Sequence, residues 1–302
     1  MYDLIIIGGG PAGLTAAIYA IRKRLNSLLI SPDLGGKAGA RMIIEGMDTY
    51  QVINGADLVQ RFRNEIEYLD FARELEKVVK VERKGRDFVV TTRSALRFEA
   101  KAIILATGTD AVRLKVPGAD RFFMRGVAYS TVSYAPLYLH KRVALVGAEA
   151  MALRGAAELA QVASKLYMVA PTHGELDTPL GRRLQRAENV TLLENWEPVA
   201  VEGDTSVRQL VVRAPDGAER ALDIDAIFVE LGLRPHSELV VGLANVDEQG
   251  SVVVNCSTET TVPGLFAAGD VTDLPAGQVL IAIGEGVKAA LAAYEYLMKL
   301  EG

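Results

Sequence analysis

The sequence predicts an α/β chain of two three-layer domains built on parallel sheets, the second inserted into the first. Three observations carry this. A strand–glycine turn–helix–strand unit opens the chain, and the same unit starts again at Arg142. Near the C-terminal end, short apolar runs of the kind found in the first unit return.

Taken in order, Leu4-Ile5-Ile6-Ile7 is a β-branched run that stops at glycines and gives way to helical spacing over 12–22. A second apolar run follows at 27–30, so the unit is a parallel pair with a crossover helix. Residues 55–68 have helical periodicity, 78–90 alternate as a hairpin, and 102–106 form a buried strand ending at Thr107-Gly108. The stretch 110–120, with Pro117-Gly118, reads as a linker. Arg142-Val143-Ala144-Leu145-Val146 is the strand that restarts the pattern, followed by a turn at Gly147, a helix over 151–163 and a strand over 165–169. After a strand at 223–229 the chain is expected to return to the first domain through 252–254 and 264–268, and to close it with a helix over 279–300. The expected domains are 1–114 with 244–302, and 115–243.

Composition narrows the function classes. Half of the 302 residues are apolar and only 6% are aromatic, which suits buried parallel strands under helices. A net charge of −5 gives no electrostatic footprint for nucleic acid. Three histidines and one cysteine leave no scope for a disulfide framework or a Cys-rich metal centre within the chain. Cys256 is expected to be a small buried filler. The first residues lead directly into a strand, and no apolar run is long enough to span a bilayer, so the expectation is a soluble, cytoplasmic protein with no membrane partner.

Gly8-Gly9-Gly10-Pro11-Ala12-Gly13 fits G-x-G-x-x-G, and it stands after a strand and opens a helix, the context that gives the pattern meaning. Gly8 permits the tight turn, Gly10 lets backbone approach a pyrophosphate, and Gly13 lets the helix pack on the strand. The Rossmann-like reading follows, with phosphates at the helix N-terminus. At the end of the second strand, where many such sites carry an acid for the ribose, stands Ser31, with Asp33 two residues beyond.

With these pieces in order, the sequence resembles the low-molecular-weight thioredoxin reductase family over nearly its whole length. The landmarks are 3–13, Leu34-Gly35-Gly36, Ala106-Thr107-Gly108, Arg125-Gly126-Val127, Gly232-Leu233-Arg234-Pro235, and the run from Pro263 through Ala268-Gly269-Asp270. The resemblance implies FAD as cofactor. Asp270 would then meet the ribityl chain, and Gly277-Gln278-Val279 would face the flavin pyrimidine, where reduced flavin carries negative charge. It also implies Val78, Ala106, Thr107, Gly108 and Gly269 as cofactor-site residues. Gly36 and Lys37 match the family's Gly-Gly-Gln, with Lys37 in place of glutamine, either as a positive charge near the flavin or pointing to solvent.

Two parts of the family's chemistry are altered. The positions of its Cys-x-x-C pair fall at Ser130 and Ser133 within Tyr129-Ser130-Thr131-Val132-Ser133-Tyr134, and Tyr134 stands where an acid usually follows. Serine cannot exchange with a disulfide. The second dinucleotide turn reads Gly147-Ala148-Glu149-Ala150-Met151-Ala152, with a carboxylate where backbone should meet pyrophosphate. The family's His-Arg-Arg cluster is matched by Val169-Ala170-Pro171-Thr172, without a cation. Arg182, Arg183 and Arg186 read as a solvated face rather than a phosphate patch. The expectation is an FAD-dependent oxidoreductase for which NAD(P)H is not the donor. The resemblance implies a small redox protein such as ferredoxin instead, and a homodimer. The alternatives are a flavin-binding regulatory protein without turnover, and a ferredoxin–NADP reductase-like enzyme, a group that keeps nicotinamide motifs.

Overall fold

The computed structural model describes residues 1–39, 42, 55–69, 71–273 and 277–300. The chain runs β1 (Tyr2–Ile7), α1 (Pro11–Arg22), β2 (Ser27–Ile30), α2 (Gly55–Tyr68), β3 (Arg73–Glu74), β4 (Val78–Lys84), β5 (Asp87–Thr92) and β6 (Arg97–Leu105). It continues through β7 (Thr109–Ala111), β8 (Val127–Ala128), α3 (Thr131–Tyr134), β9 (Arg142–Val146), α4 (Ala150–Val162), β10 (Lys165–Ala170) and α5 (Pro179–Gln185). The strands β11 (Val190–Glu194), β12 (Glu197–Gly203), β13 (Val207–Arg213), β14 (Glu219–Asp223), β15 (Ala226–Val229), β16 (Leu233–Pro235) and β17 (Leu265–Ala267) lead to α6 (Val279–Leu300).

Two compact units result. The first takes the described residues of 1–41, 52–110 and 234–302, and the second takes Met42 and 111–233. The divisions therefore fall after Asp110 and after Leu233, whereas the sequence pattern places them after 114 and 243.

In the first unit β3, β2, β1, β6 and β17 are parallel neighbours, and the β4–β5 hairpin adds antiparallel strands against the start of β6. Residues 4–7 of β1 are at most 3% exposed because the sheet is covered on both faces. Burying each such Leu or Ile is worth about 1.5–3 kcal/mol. One face carries α1 and α6, joined through small residues: Ala16, Ala17 and Ala20 pack in one cluster with Ala289, Ala290 and Ala293. The close approach is strict at Gly286, where a Cβ would sit 2.1 Å from the Ala12 carbonyl oxygen.

The second unit has a five-stranded parallel sheet in the order β11-β10-β9-β15-β8, and an antiparallel sheet β12-β13-β14. The chain thus folds as two α/β units with parallel sheets, the second inserted into the first, as its sequence predicts.

The structure corrects three local readings. Cys256 is exposed, because it lies in a turn tied by Asn255 rather than on a core face. Residues 252–254 do bring the chain back to the first unit, with Val252 making isolated bridges to Val246 and Thr272. The run 223–229 splits into the end of β14 and β15, since Asp225 N–H turns aside to the Arg142 carbonyl. The expected linker 110–120 packs into the second unit through Leu114 and Ala119, both nearly fully buried with Phe122 and Val201.

Candidate dinucleotide-binding site

At the carboxyl ends of β1, β6 and β17 the first unit builds a cradle around a helix N-terminus. Gly8 has φ +113°, and a Cβ there would lie 2.2 Å from the Ala106 carbonyl oxygen, so the turn accepts only glycine. Gly13 is equally constrained, with its Cβ position 1.8 Å from the Gly8 carbonyl oxygen. Gly10 differs: nothing lies within 4 Å of its Cβ position, which is the open side of the turn. Gly10 is the N-cap of α1, Pro11 occupies the first turn, and the helix has neither a side-chain cap nor an acidic residue there. Free N–H groups and the positive end of the helix dipole therefore face that open side, which is the physical requirement for a pyrophosphate.

The neighbouring segments hold this geometry. Ser31 is buried, and its Oγ accepts from Gly9 N–H at 2.8 Å. Asp33 Oδ1 accepts from Gly36 N–H at 2.8 Å, so this carboxylate closes the 33–36 turn. Gly36 abuts the loop, its Cβ position 3.4 Å from Gly10 Cα. Across the cradle, Gly269 (φ +77°) packs on Ala12, with 3.0 Å between its Cβ position and the Ala12 Cβ. The Asp270 carboxylate lies beside Gly277, just before Gln278 and the start of α6 at Val279. No acidic residue stands in the first turn of α6, so a second electropositive helix end adjoins the first.

Lys37 sits in a 3-10 turn (Gly36–Gly39) and reaches Asp270 Oδ2 and Thr109 Oγ1, each at 2.6 Å. Its side chain is 53% exposed, yet both contacts point it into the cradle rather than away from it. Thr107 and Gly108 form the third wall: Thr107 Oγ1 donates to the His236 carbonyl at 2.6 Å, and His236 N–H donates to the Gly108 carbonyl at 2.9 Å. Val78 lies lower, its side chain in the apolar cluster that also contains Ile7 and Ile30.

Three contributors are not legible in the sequence pattern. The His236 ring bonds the Thr107 carbonyl and, at 3.0 Å, Asp110 Oδ2. Glu285 on α6 is 6% exposed and accepts from Gly269 N–H at 3.1 Å; burial pushes its carboxyl above the usual range, partly opposed by that hydrogen bond. Gly286 seats α6 on the first turn of α1. The only signal is a charged residue between two glycines, Gly284-Glu285-Gly286.

The second unit repeats the frame with different chemistry. Gly147 keeps its positive φ of +147° against the Glu230 carbonyl. Glu149 is the exposed N-cap of α4 and makes no side-chain capping bond. Beyond β10, Glu175 N–H donates to the Ala148 carbonyl at 2.9 Å. The one cationic candidate of residues 171–177, His173, is held between Glu194 Oε1 at 2.7 Å and Asp177 Oδ2 at 2.9 Å. These two carboxylates, Glu194 first, raise its pKa. Arg182 donates to the Asp177 carbonyl, and Arg183 and Arg186 are exposed.

The Tyr129 to Tyr134 segment also belongs to this unit. Ser130 Oγ donates to Ser133 Oγ at 2.9 Å. The buried Glu230 carboxylate accepts from Thr131 N–H at 2.8 Å and from its hydroxyl at 2.6 Å, fixing the start of α3. Its charge adds to desolvation in raising the carboxyl pKa of Glu158. The Tyr129 ring lies tilted against that of Phe123, and its hydroxyl accepts from Leu114 N–H; burial raises the pKa of its phenol. Tyr134 packs against the core of the unit.

Comparison with known proteins agrees with this architecture. The family model described as pyridine nucleotide-disulphide oxidoreductase matches residues 2–294. Relatives include a component of the alkyl hydroperoxide reductase of Staphylococcus aureus, 31% identical, and NADH dehydrogenase of Bacillus subtilis, 32% identical. Each alignment covers 99% of this chain but 59% of the relative, so the chain spans under two thirds of their length. Among solved structures, thioredoxin reductase from Streptococcus pyogenes superposes with a TM-score of 0.90 at 29% identity, covering 99% of both chains. The Giardia duodenalis thioredoxin reductase gives 0.89 at 27%, covering 98% of this chain and 99% of its own. On the family match over almost its whole length, the chain belongs to the pyridine nucleotide-disulphide oxidoreductase family, with the thioredoxin reductase fold.

Proposed function

We propose that the cradle of the first unit holds FAD and that the chain is an FAD-dependent oxidoreductase whose electron partner is a small redox protein of the ferredoxin kind rather than NAD(P)H. One observation carries the reading: the first glycine turn keeps an open, electropositive face at Gly10, while the second presents Glu149 at the equivalent helix start. An anionic pyrophosphate is attracted to the first and repelled by the second. No cation replaces the lost cluster at 169–172, and His173 is already engaged by two carboxylates.

FAD, when bound, supplies two-electron and one-electron transfer. The residues have simpler tasks. The N–H groups at the start of α1 bind phosphate oxygens, and Asp270 accepts a hydroxyl of the sugar chain. The start of α6 at Gln278-Val279 stabilises negative charge on the ring. Ser130 and Ser133 form no thiol relay, so electrons leave by another route than a disulfide in that segment.

A second reading, a flavin-binding protein without turnover, rests on the same serine pair together with Glu149. Steady-state turnover with reduced ferredoxin and any acceptor removes it. The first reading fails if purified protein neither contains nor binds FAD, or if NADPH or NADH bleaches the flavin rapidly. A homodimer is part of the proposal, and sedimentation equilibrium giving a monomer at working concentration contradicts it.

A further inference from the structure

We propose that Lys37 is a redox-tuning residue: its ammonium group, anchored by Asp270 and Thr109, raises the preference of the cradle for the reduced, negatively charged form of the flavin. The inference rests on the reading that the cradle holds FAD.

The geometry comes first. Gly36 abuts Gly10 on one side of the cradle, and Gly269 abuts Ala12 on the other. The Lys37–Asp270 contact at 2.6 Å therefore crosses from one wall to the opposite one, and the Thr109 contact ties it to the third. A flexible lysine with two partners on separate elements is held in place, not left to solvent. Its partner carboxylate is 14% exposed and lies beside Gly277 at the approach to α6. Charge counting follows. With a neutral residue at 37, the Asp270 carboxylate would lose its ion-pair partner and the pair of positions would carry −1. With Lys37 the pair is neutral, so the field acting on any ligand is more positive by one unit.

Two-electron reduction of a flavin with uptake of one proton leaves one additional negative charge on the ring. A more positive surrounding stabilises that product over the oxidised form, which is an upward shift of the reduction potential. Half-burial of the pair keeps the effective dielectric below that of water, so the effect survives screening.

The test compares wild type with K37Q and K37R in the full chain. Three readouts are used: FAD content, the two-electron potential against reference dyes, and the dissociation constants of oxidised and reduced FAD. K37Q is expected to lower the ratio of reduced-form to oxidised-form affinity roughly tenfold, equal to about 30 mV downward for a two-electron couple. K37R keeps the charge and is expected to stay near wild type. If K37Q holds FAD weakly, the two dissociation constants at saturating FAD still give the ratio. An unchanged ratio in K37Q overturns the inference. Should K37Q not fold, K37M takes its place as the charge-removing variant: an unchanged ratio overturns the inference, and a ratio roughly tenfold below wild type, with K37R at the wild-type value, supports it. Failure of the wild-type chain to bind FAD at all refutes the cofactor reading instead.

Discussion

Two glycines three residues apart in one turn are expected to respond to alanine in opposite ways. At Gly13 the added methyl would meet the Gly8 carbonyl oxygen at 1.8 Å and the carbonyl carbon at 2.9 Å. Both are backbone atoms, so no rotamer change relieves the clash, and α1 must lift from the turn. Overpacking costs about 1–3 kcal/mol in general, and a backbone obstacle puts G13A at or above the upper end. For a domain of this size that is a fall in Tm of about 6–12 °C. At Gly10 nothing lies within 4 Å of the methyl, and φ is −74°, an ordinary value for alanine. The cost to folding is the loss of a good N-cap residue, below about 1 kcal/mol. Yet the methyl stands on the face where the phosphates must approach. G10A is therefore expected to melt within about 4 °C of wild type and to lose FAD affinity tenfold or more, read by flavin fluorescence titration of the apoprotein. G10A that binds FAD as tightly as wild type would refute the assignment of that open face to the pyrophosphate.

Other outcomes follow from the same geometry. Glu285 has a raised carboxyl pKa in the folded state, so its ionisation costs stability. The wild-type chain is favoured below the unfolded pKa and loses that advantage as pH rises through the folded value. E285Q keeps an acceptor for Gly269 N–H, and its urea midpoint is expected to gain on wild type between pH 4 and pH 7; a gap moving the other way contradicts this. E230A removes the buried acceptor of both Thr131 groups, with an expected loss of roughly 1–3 kcal/mol and faster amide exchange at Thr131. E149G removes the carboxylate from the start of α4 and is expected to raise nicotinamide dinucleotide affinity at least tenfold, by fluorescence titration, without preferring NADPH, because no cation is added. No change in E149G would show that another feature blocks the second turn.

Much of the frame is legible in the sequence because local chemistry and global packing agree there. The residues of β1, the glycines and α1 form an unbroken signal, and α6 spans 279–300 as its apolar spacing indicates. What the sequence hides depends on distant partners. Glu285 looks like a surface charge in a helix until Gly269 is folded over it. Lys37 has two directions open to it, and only the positions of Asp270 and Thr109 select one. His236 follows a recognised Gly-Leu-Arg-Pro run, but its bonds to Thr107 and Asp110 cross more than a hundred residues of sequence. The β12–β14 sheet is hard to assign although β13 alternates, because charged and polar residues on its outer face weaken the pattern. Cys256 departs from expectation for a plain reason: cysteine is usually buried, and the Asn255 turn overrides that preference.

The central claim is that the first unit binds a flavin which the nicotinamide dinucleotides do not reduce. The direct measurement is the anaerobic absorbance spectrum of the purified protein, recorded before and after excess NADPH, then NADH, then reduced ferredoxin. An oxidised flavin band that persists through both nucleotides and bleaches with ferredoxin is the predicted result. Rapid bleaching by either nucleotide would contradict the account, since it would require a working site at the turn that carries Glu149.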